Sequence, residues 1–238
     1  MTVDKAVEKA TVRVGDLSAY LARPAGGSAS GMLLLPMITG IGQQLRDWAD
    51  ELAEQGVTAL VWDTWHGKSA DDTPMPELFD LLGTQDDEQC LSEQRALLDH
   101  LFGELGCTRA GVIGWCLGGR FALLLGARDE RVSNVVAYHP TVYPELPPHH
   151  VLDTVAEVPS IAAPAMVLYP TADELVPRSV YVRLRDALES RATGATIAQV
   201  YPDAEHGFSN RSRHANPVNA AAYAVSWPQV LAFVKATT

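Results

Sequence analysis

The chain has 238 residues, 47% of them hydrophobic and 20% charged, and its 18 basic against 29 acidic residues give a formal net charge of −11. This composition excludes a disordered tail, a collagenous rod and a low-complexity chain, and the length is enough to bury a core without disulfides or metal. The acidic balance argues against a nucleic-acid partner, whose binders neutralise phosphates, and against docking on an anionic membrane.

Taken in chain order, the opening MTVDKAVEKATVRV lacks the apolar centre of a secretory signal. Thr11–Val14 and Leu17–Arg23 alternate around Gly15-Asp16, which predicts a β-hairpin. Met32–Leu35 and Thr58–Trp62 are short apolar runs of the kind found in strands buried on both faces. Both are too short to cross a bilayer. Between them, Leu45, Trp48 and Leu52 share one face of a helix from about Gln43 to Gln55, stopped by Gly56.

Trp65 to Asp86 is polar, rich in Asp, Pro and Gly, and long for a connection, so it is a candidate functional loop or cap. A helix from about Asp87 to Leu105 follows, closed by Gly106. Next come strand Ala110–Ile113, a helix after Gly118, strand Val132–Tyr138 and a Pro/His-rich loop. The last third holds strand Ala165–Tyr169, a helix after Pro177, strand Thr196–Tyr201 and a helix from about Val218 to Ala236. Buried strands alternating with helices predict an α/β fold, a mainly parallel sheet covered on both faces. The pattern never resets, so one domain over residues 1–238 is expected.

Three cysteines, Cys90, Cys107 and Cys116, cannot all pair, and neither CxxC nor HExxH accompanies them. No metal or other cofactor is expected, and the thiols should be reduced in a cytoplasmic protein. Cys90 and Cys107 have no motif around them and read as structural. Asp71-Asp72 and Asp86-Asp87-Glu88 read as solvated loop and helix-start charges, Arg120 as a helix-face residue, and His149-His150 as surface.

Cys116 is different. Strand Ala110–Ile113 runs into Gly114-Trp115-Cys116-Leu117-Gly118 and then a helix, a G-x-C-x-G turn with the spacing of a nucleophile elbow. Glycines two residues either side of the nucleophile remove side chains that would strike the neighbouring strand and helix. The thiol then stands at a helix N-terminus, where the dipole and free N–H groups favour a thiolate, and the Leu117 N–H is placed to bind an oxyanion. A buried, inert Cys in a Gly-rich turn fits the pentapeptide as well. Two further segments favour catalysis: Asp173 and His206 each follow a buried strand. Nucleophile, acid and His thus come in the chain order of hydrolases, at the sheet edge where active sites of open α/β sheets form.

GWCLGG at Gly114–Gly119, with the Asp173 and His206-Gly207-Phe208 segments, resembles the dienelactone hydrolase (carboxymethylenebutenolidase) family over nearly the whole chain. The resemblance implies an α/β-hydrolase fold and a Cys116–His206–Asp173 triad opening lactone or ester bonds through a thioester. The backbone N–H groups of Leu117 and Ile38 would form its oxyanion hole. Two positions depart from the family. A glutamate that contacts the resting thiol is replaced by Met37, which leaves His206 to activate Cys116. Of two arginines that hold a substrate carboxylate, one position is Asn210, with Arg211 a residue late, and the loop after Trp62–His66 offers only Lys68. A neutral lactone, or an ester with a differently placed charge, is therefore an expected substrate.

Met37, Trp62, Trp65, His66, Tyr138, His139, Phe208 and Arg211 are the candidate substrate-pocket residues, all near the same sheet edge. The expected partner is a small lactone or ester, bound by a monomer or small homo-oligomer. Two other readings stand beside hydrolysis: a non-catalytic ligand binder, and a redox-responsive protein whose exposed thiol oxidises.

Overall fold

The computed structural model describes residues 6–238, so Met1–Lys5, the first residues of the segment read as lacking a leader, lie outside it. Gly15, at a φ of 60°, closes the predicted hairpin between β1 (Val7–Val14) and β2 (Leu17–Pro24). The other strands are β3 (Ser30–Leu35), β4 (Thr58–Trp62), β5 (Arg109–Trp115), β6 (Val132–Tyr138), β7 (Ala165–Ala172) and β8 (Thr196–Glu205). All eight form one sheet in the order β1-β2-β4-β3-β5-β6-β7-β8. β2 pairs antiparallel with β1 and β4, and every pair from β4 onward is parallel. This is the expected α/β-hydrolase architecture.

Alternating side chains of the central strands feed two cores. Leu33 and Leu35 of β3 pack with α3 (Asp87–Gly103), α4 (Leu117–Arg128) and α6 (Arg178–Glu189). Met32 and Leu34 face the opposite side, with α1 (Gln43–Glu54) and α7 (Pro217–Thr237). Parallel strands end together, so the C-terminal ends of β3, β5, β6, β7 and β8 share one edge. No helix among the described residues is long and apolar enough to cross a membrane.

Several expectations are corrected. The Trp65–Asp86 connection contains a helix, α2 (Met75–Leu82), introduced by Pro74 in extended conformation, with Pro76 in its first turn. Eight residues give barely two turns of periodicity, and the polar flanks hide it. A single turn, α5 (Thr154–Glu157), interrupts the Pro/His-rich loop, capped by Asp153 accepting the Val155 and Ala156 N–H groups. β7 and β8 continue through Pro170 and Pro202, which suggested strand ends. The β7 register shifts between Pro170 and Ala172, and β8 is an edge strand, where proline loses no ladder bond.

Asp87, Arg120 and His150 are buried, not solvated or on an outer helix face. Arg120 donates from Nη1 and Nη2 to the two Asp87 oxygens at 2.6 and 2.9 Å, and from Nη2 to the Leu152 carbonyl at 2.8 Å. His150 Nδ1 lies 2.7 Å from Asp87 Oδ1, and the Val151 and Leu152 N–H groups donate to Asp87 Oδ2. The cluster joins α3, α4 and the loop after β6. Cys90 and Cys107 are free thiols inside the core.

Candidate active site

The elbow has the geometry its glycines predict. A Cβ on Gly114 would lie 2.0 Å from the Gly118 carbonyl oxygen, and one on Gly118 would lie 2.1 Å from that of Leu35. Only glycine permits so close an approach. Between them Cys116 is held at φ 54°, ψ −114°, a strained conformation for a residue with a side chain. The preceding residue supplies the anchor: the Trp115 ring is fully buried and stacks on Trp48 at 4.3 Å between centroids. Cys116 caps α4, so the N–H of Leu117 at the first helical position has no intrahelical acceptor.

The loop after β6 grips the same turn. Thr141 donates its N–H to the Cys116 carbonyl at 2.9 Å, and its Oγ1 lies 3.2 Å from Cys116 Sγ. From β7, Asp173 accepts the Leu175 and Val176 N–H groups on Oδ1, both at 2.9 Å, which leaves Oδ2 for His206 Nδ1 at 2.8 Å. His206 follows β8, and its Nε2 is buried with no hydrogen-bond partner. Sγ and this imidazole line one cavity. The ring is backed edge-on by His139 at 5.0 Å, whose Nε2 meets Ser209 Oγ at 2.8 Å. Burial, together with the nearby His206 charge, holds His139 well below the ordinary imidazole range, so it is neutral.

Burial alone would discharge both reactive groups. Against it, the facing thiolate and the Asp173 bond raise His206 to about 10. Burial likewise opposes the Cys116 thiolate, but the His206 charge, the Thr141 hydroxyl and the Leu117 N–H pull that thiol below its ordinary value. Both shifts favour the thiolate–imidazolium form of the pair.

The cavity has a volume of about 540 Å³. Its lining includes Met37 and Ile38 after β3, Leu117, and Thr141 and Tyr143 after β6. Met75, Phe79 and Leu82 of α2 also line it, as do Leu175, Asn210 and Arg213. The long connection therefore does contribute a cap.

Of the predicted pocket residues, Met37 lines this cavity. Trp62 points into the core, where its indole N–H donates to Glu93 at 2.9 Å. Trp65 donates to the Ile38 carbonyl, in the loop after β3, at 2.7 Å, while lining a separate recess with His66. His66 Nε2 is 3.4 Å from Glu93. Tyr138 is buried and donates to Ser226 Oγ at 3.1 Å. Phe208 is buried against the rings of Tyr138, His139 and Tyr201. Arg211 turns outward to Asp47 and Glu51 on α1. Strand-end position brought these residues near the right edge, but strand parity aims Trp62 and Tyr138 into the core. The missed α2 residues carried a signal, apolar positions at spacings of four and three. Thr141 and Tyr143 carried none.

The dienelactone hydrolase family model matches residues 17–238. Carboxymethylenebutenolidase 2 of Cupriavidus pinatubonensis is 30% identical over 186 residues, covering 74% of this chain and 72% of its own. A provisionally assigned carboxymethylenebutenolidase of Methylorubrum extorquens is 29% identical over 210 residues, covering 84% and 70%. Among solved structures, a provisionally assigned dienelactone hydrolase from Klebsiella pneumoniae superposes with a TM-score of 0.85 at 23% identity, over 97% of this chain and 99% of that one. The match along nearly the whole sequence, on a shared fold with the elbow in place, shows that this chain belongs to the dienelactone hydrolase family.

Proposed function

We propose that the protein hydrolyses a lactone or small carboxylic ester through Cys116, His206 and Asp173, acting as one domain. The observation that carries this is the pairing of a strained, thiolate-prone elbow cysteine with a carboxylate-oriented imidazole in one cavity. The names of the relatives, which include a butenolide-opening enzyme, support the same bond class.

In this mechanism the Cys116 thiolate attacks the carbonyl carbon. The N–H groups of Leu117 and Ile38 receive the oxyanion, and one such donor is worth about 10²–10³ in rate. The Trp65 bond to the Ile38 carbonyl pins the loop that presents the second donor. Imidazolium at His206 protonates the departing alkoxide as the carbonyl re-forms, leaving a thioester. The now neutral Nε2 takes a proton from water, which attacks the thioester; the thiolate leaves and the acid product is released. Asp173 holds the Nδ1 proton throughout and stabilises the charged ring. Thr141 donates to the sulfur in its anionic state, as the 3.2 Å contact permits.

The test is hydrolysis of p-nitrophenyl acetate with acid-quench mass spectrometry. The wild-type protein should turn over and carry an acetyl group on Cys116, and Cys116→Ala should do neither. An acetylated but non-turning-over protein would indicate a binder, and reversible oxidation of Cys116 without any acylation would indicate a redox thiol.

A further inference from the structure

The cavity says more about its ligand than the reactive groups do. Met75, Phe79 and Leu82 fall at i, i+4 and i+7 on α2, which places them on one stripe of the helix. Leu78, at the edge of this stripe, is fully buried in the core, and Met75 and Leu82 are partly buried against the same core, which leaves Phe79 as its exposed member. The stripe lines the cavity together with Met37 and Leu175. Phe79 and Leu175 are 57% and 58% exposed, large apolar side chains left open to water at the approach to the sulfur.

Charge is arranged to match. His206 and Arg213 are the cationic side chains that line the cavity. His206 is engaged with Asp173 and faces the thiolate, and Arg213 lies 3.6 Å from Glu205. The cations nearest by sequence are committed elsewhere, Lys68 to Glu77 at 2.5 Å and Arg211 to Asp47. A carboxylate on the substrate would have to compete with Glu205 for Arg213, whereas a hydrocarbon chain would cover both exposed side chains.

We propose that the Met75–Phe79–Leu82 stripe, with Met37 and Leu175, is an acyl-binding wall that selects uncharged esters and lactones carrying an unbranched apolar chain of several carbons. This rests on the hydrolytic reading of Cys116. The volume is within the range of sites that enclose small organic ligands. Each methylene transferred from water to such a wall favours binding by about fourfold.

The test compares p-nitrophenyl acetate, butyrate and hexanoate with the mono-p-nitrophenyl ester of succinate. In the wild-type protein, kcat/KM should rise about threefold to fourfold per methylene from acetate to hexanoate, with the succinate ester at least tenfold below butyrate. Phe79→Asp should flatten the series and Phe79→Leu should keep its slope; because Phe79 is exposed, neither change disturbs the core. A flat wild-type series, or a preference for the succinate ester, would overturn the wall. A second measurement separates this from failure of the hydrolytic reading: protection of Cys116 against iodoacetamide by acetamide, butyramide and hexanamide. Protection that strengthens with chain length, and loses that trend in Phe79→Asp, supports the wall even if no ester turns over. Protection independent of length overturns it even if esters do.

Discussion

At Cys116, two groups of different kinds act on one sulfur. The imidazolium of His206 acts by charge, and the Thr141 hydroxyl acts by direct contact. Iodoacetamide alkylation followed against pH should therefore give an apparent pKa below that of an ordinary thiol. His206→Ala should move it upward and slow alkylation at neutral pH. Thr141→Val should move it upward by less, and Thr141→Ser should restore it. Equal profiles for wild type and His206→Ala would exclude the pairing. Ester turnover adds the second limb. The rate should climb as the thiol ionises and fall as pH passes about 10, where His206 loses its proton. The stability sign agrees: a raised imidazole contributes fully below its unfolded-state range, and the contribution fades as pH rises through the folded value. Loss of His206 should cost about 10²–10⁴ in kcat, the usual worth of a positioned proton carrier.

At the scale of the elements, the Asp87–Arg120–His150 cluster ties two helices to the loop that delivers Thr141. The ion pair is fully buried, and removing one partner of such a pair costs about 3–5 kcal/mol. Asp87→Asn should lower stability by that amount in urea unfolding, with the slope against denaturant unchanged. Burial works against the Asp87 carboxylate, but His150, Arg120 and two backbone N–H groups hold its pKa far below the usual carboxylate range. A depressed carboxylate contributes stability above its unfolded pKa. That contribution drains away on acidification below about pH 4, so the acid-induced loss should be shallower in Asp87→Asn than in wild type. This cluster also shows where the sequence is mute. Gly114-x-Cys116-x-Gly118 announces itself because a steric requirement fixes each residue. Asp87, by contrast, has the look of an ordinary helix-start acid. Its partners lie 33 and 63 positions away, and nothing local marks a long-range ion pair. The α2 stripe is intermediate, periodic but short and flanked by Asp and Pro, so composition conceals it.

Across the whole molecule, the reading from the chain was best where constraints are collective. That Cys116, Asp173 and His206 arrive at one sheet edge follows from parallel strands, and the structure places Asp173 and His206 in contact. It was poorest for the pocket, because a cavity is a difference between surfaces, and single residues do not state which surface they join. The two cores also set the accessibility of sulfur. Burial pushes the Cys90 and Cys107 thiols up from their ordinary range, while Cys116 is pulled down. A disulfide reagent added to the native protein should consume one thiol rapidly, and guanidinium should release the other two. Three rapid equivalents in the folded state would contradict the sealed core.

That segregation gives the unmodified chain a built-in attachment point. A fluorophore or spin probe coupled by thiol chemistry would settle beneath α2 without any engineered residue. Its environment would report whether the cavity beside it is filled. The two interior sulfurs would stay silent until the sheet itself came apart.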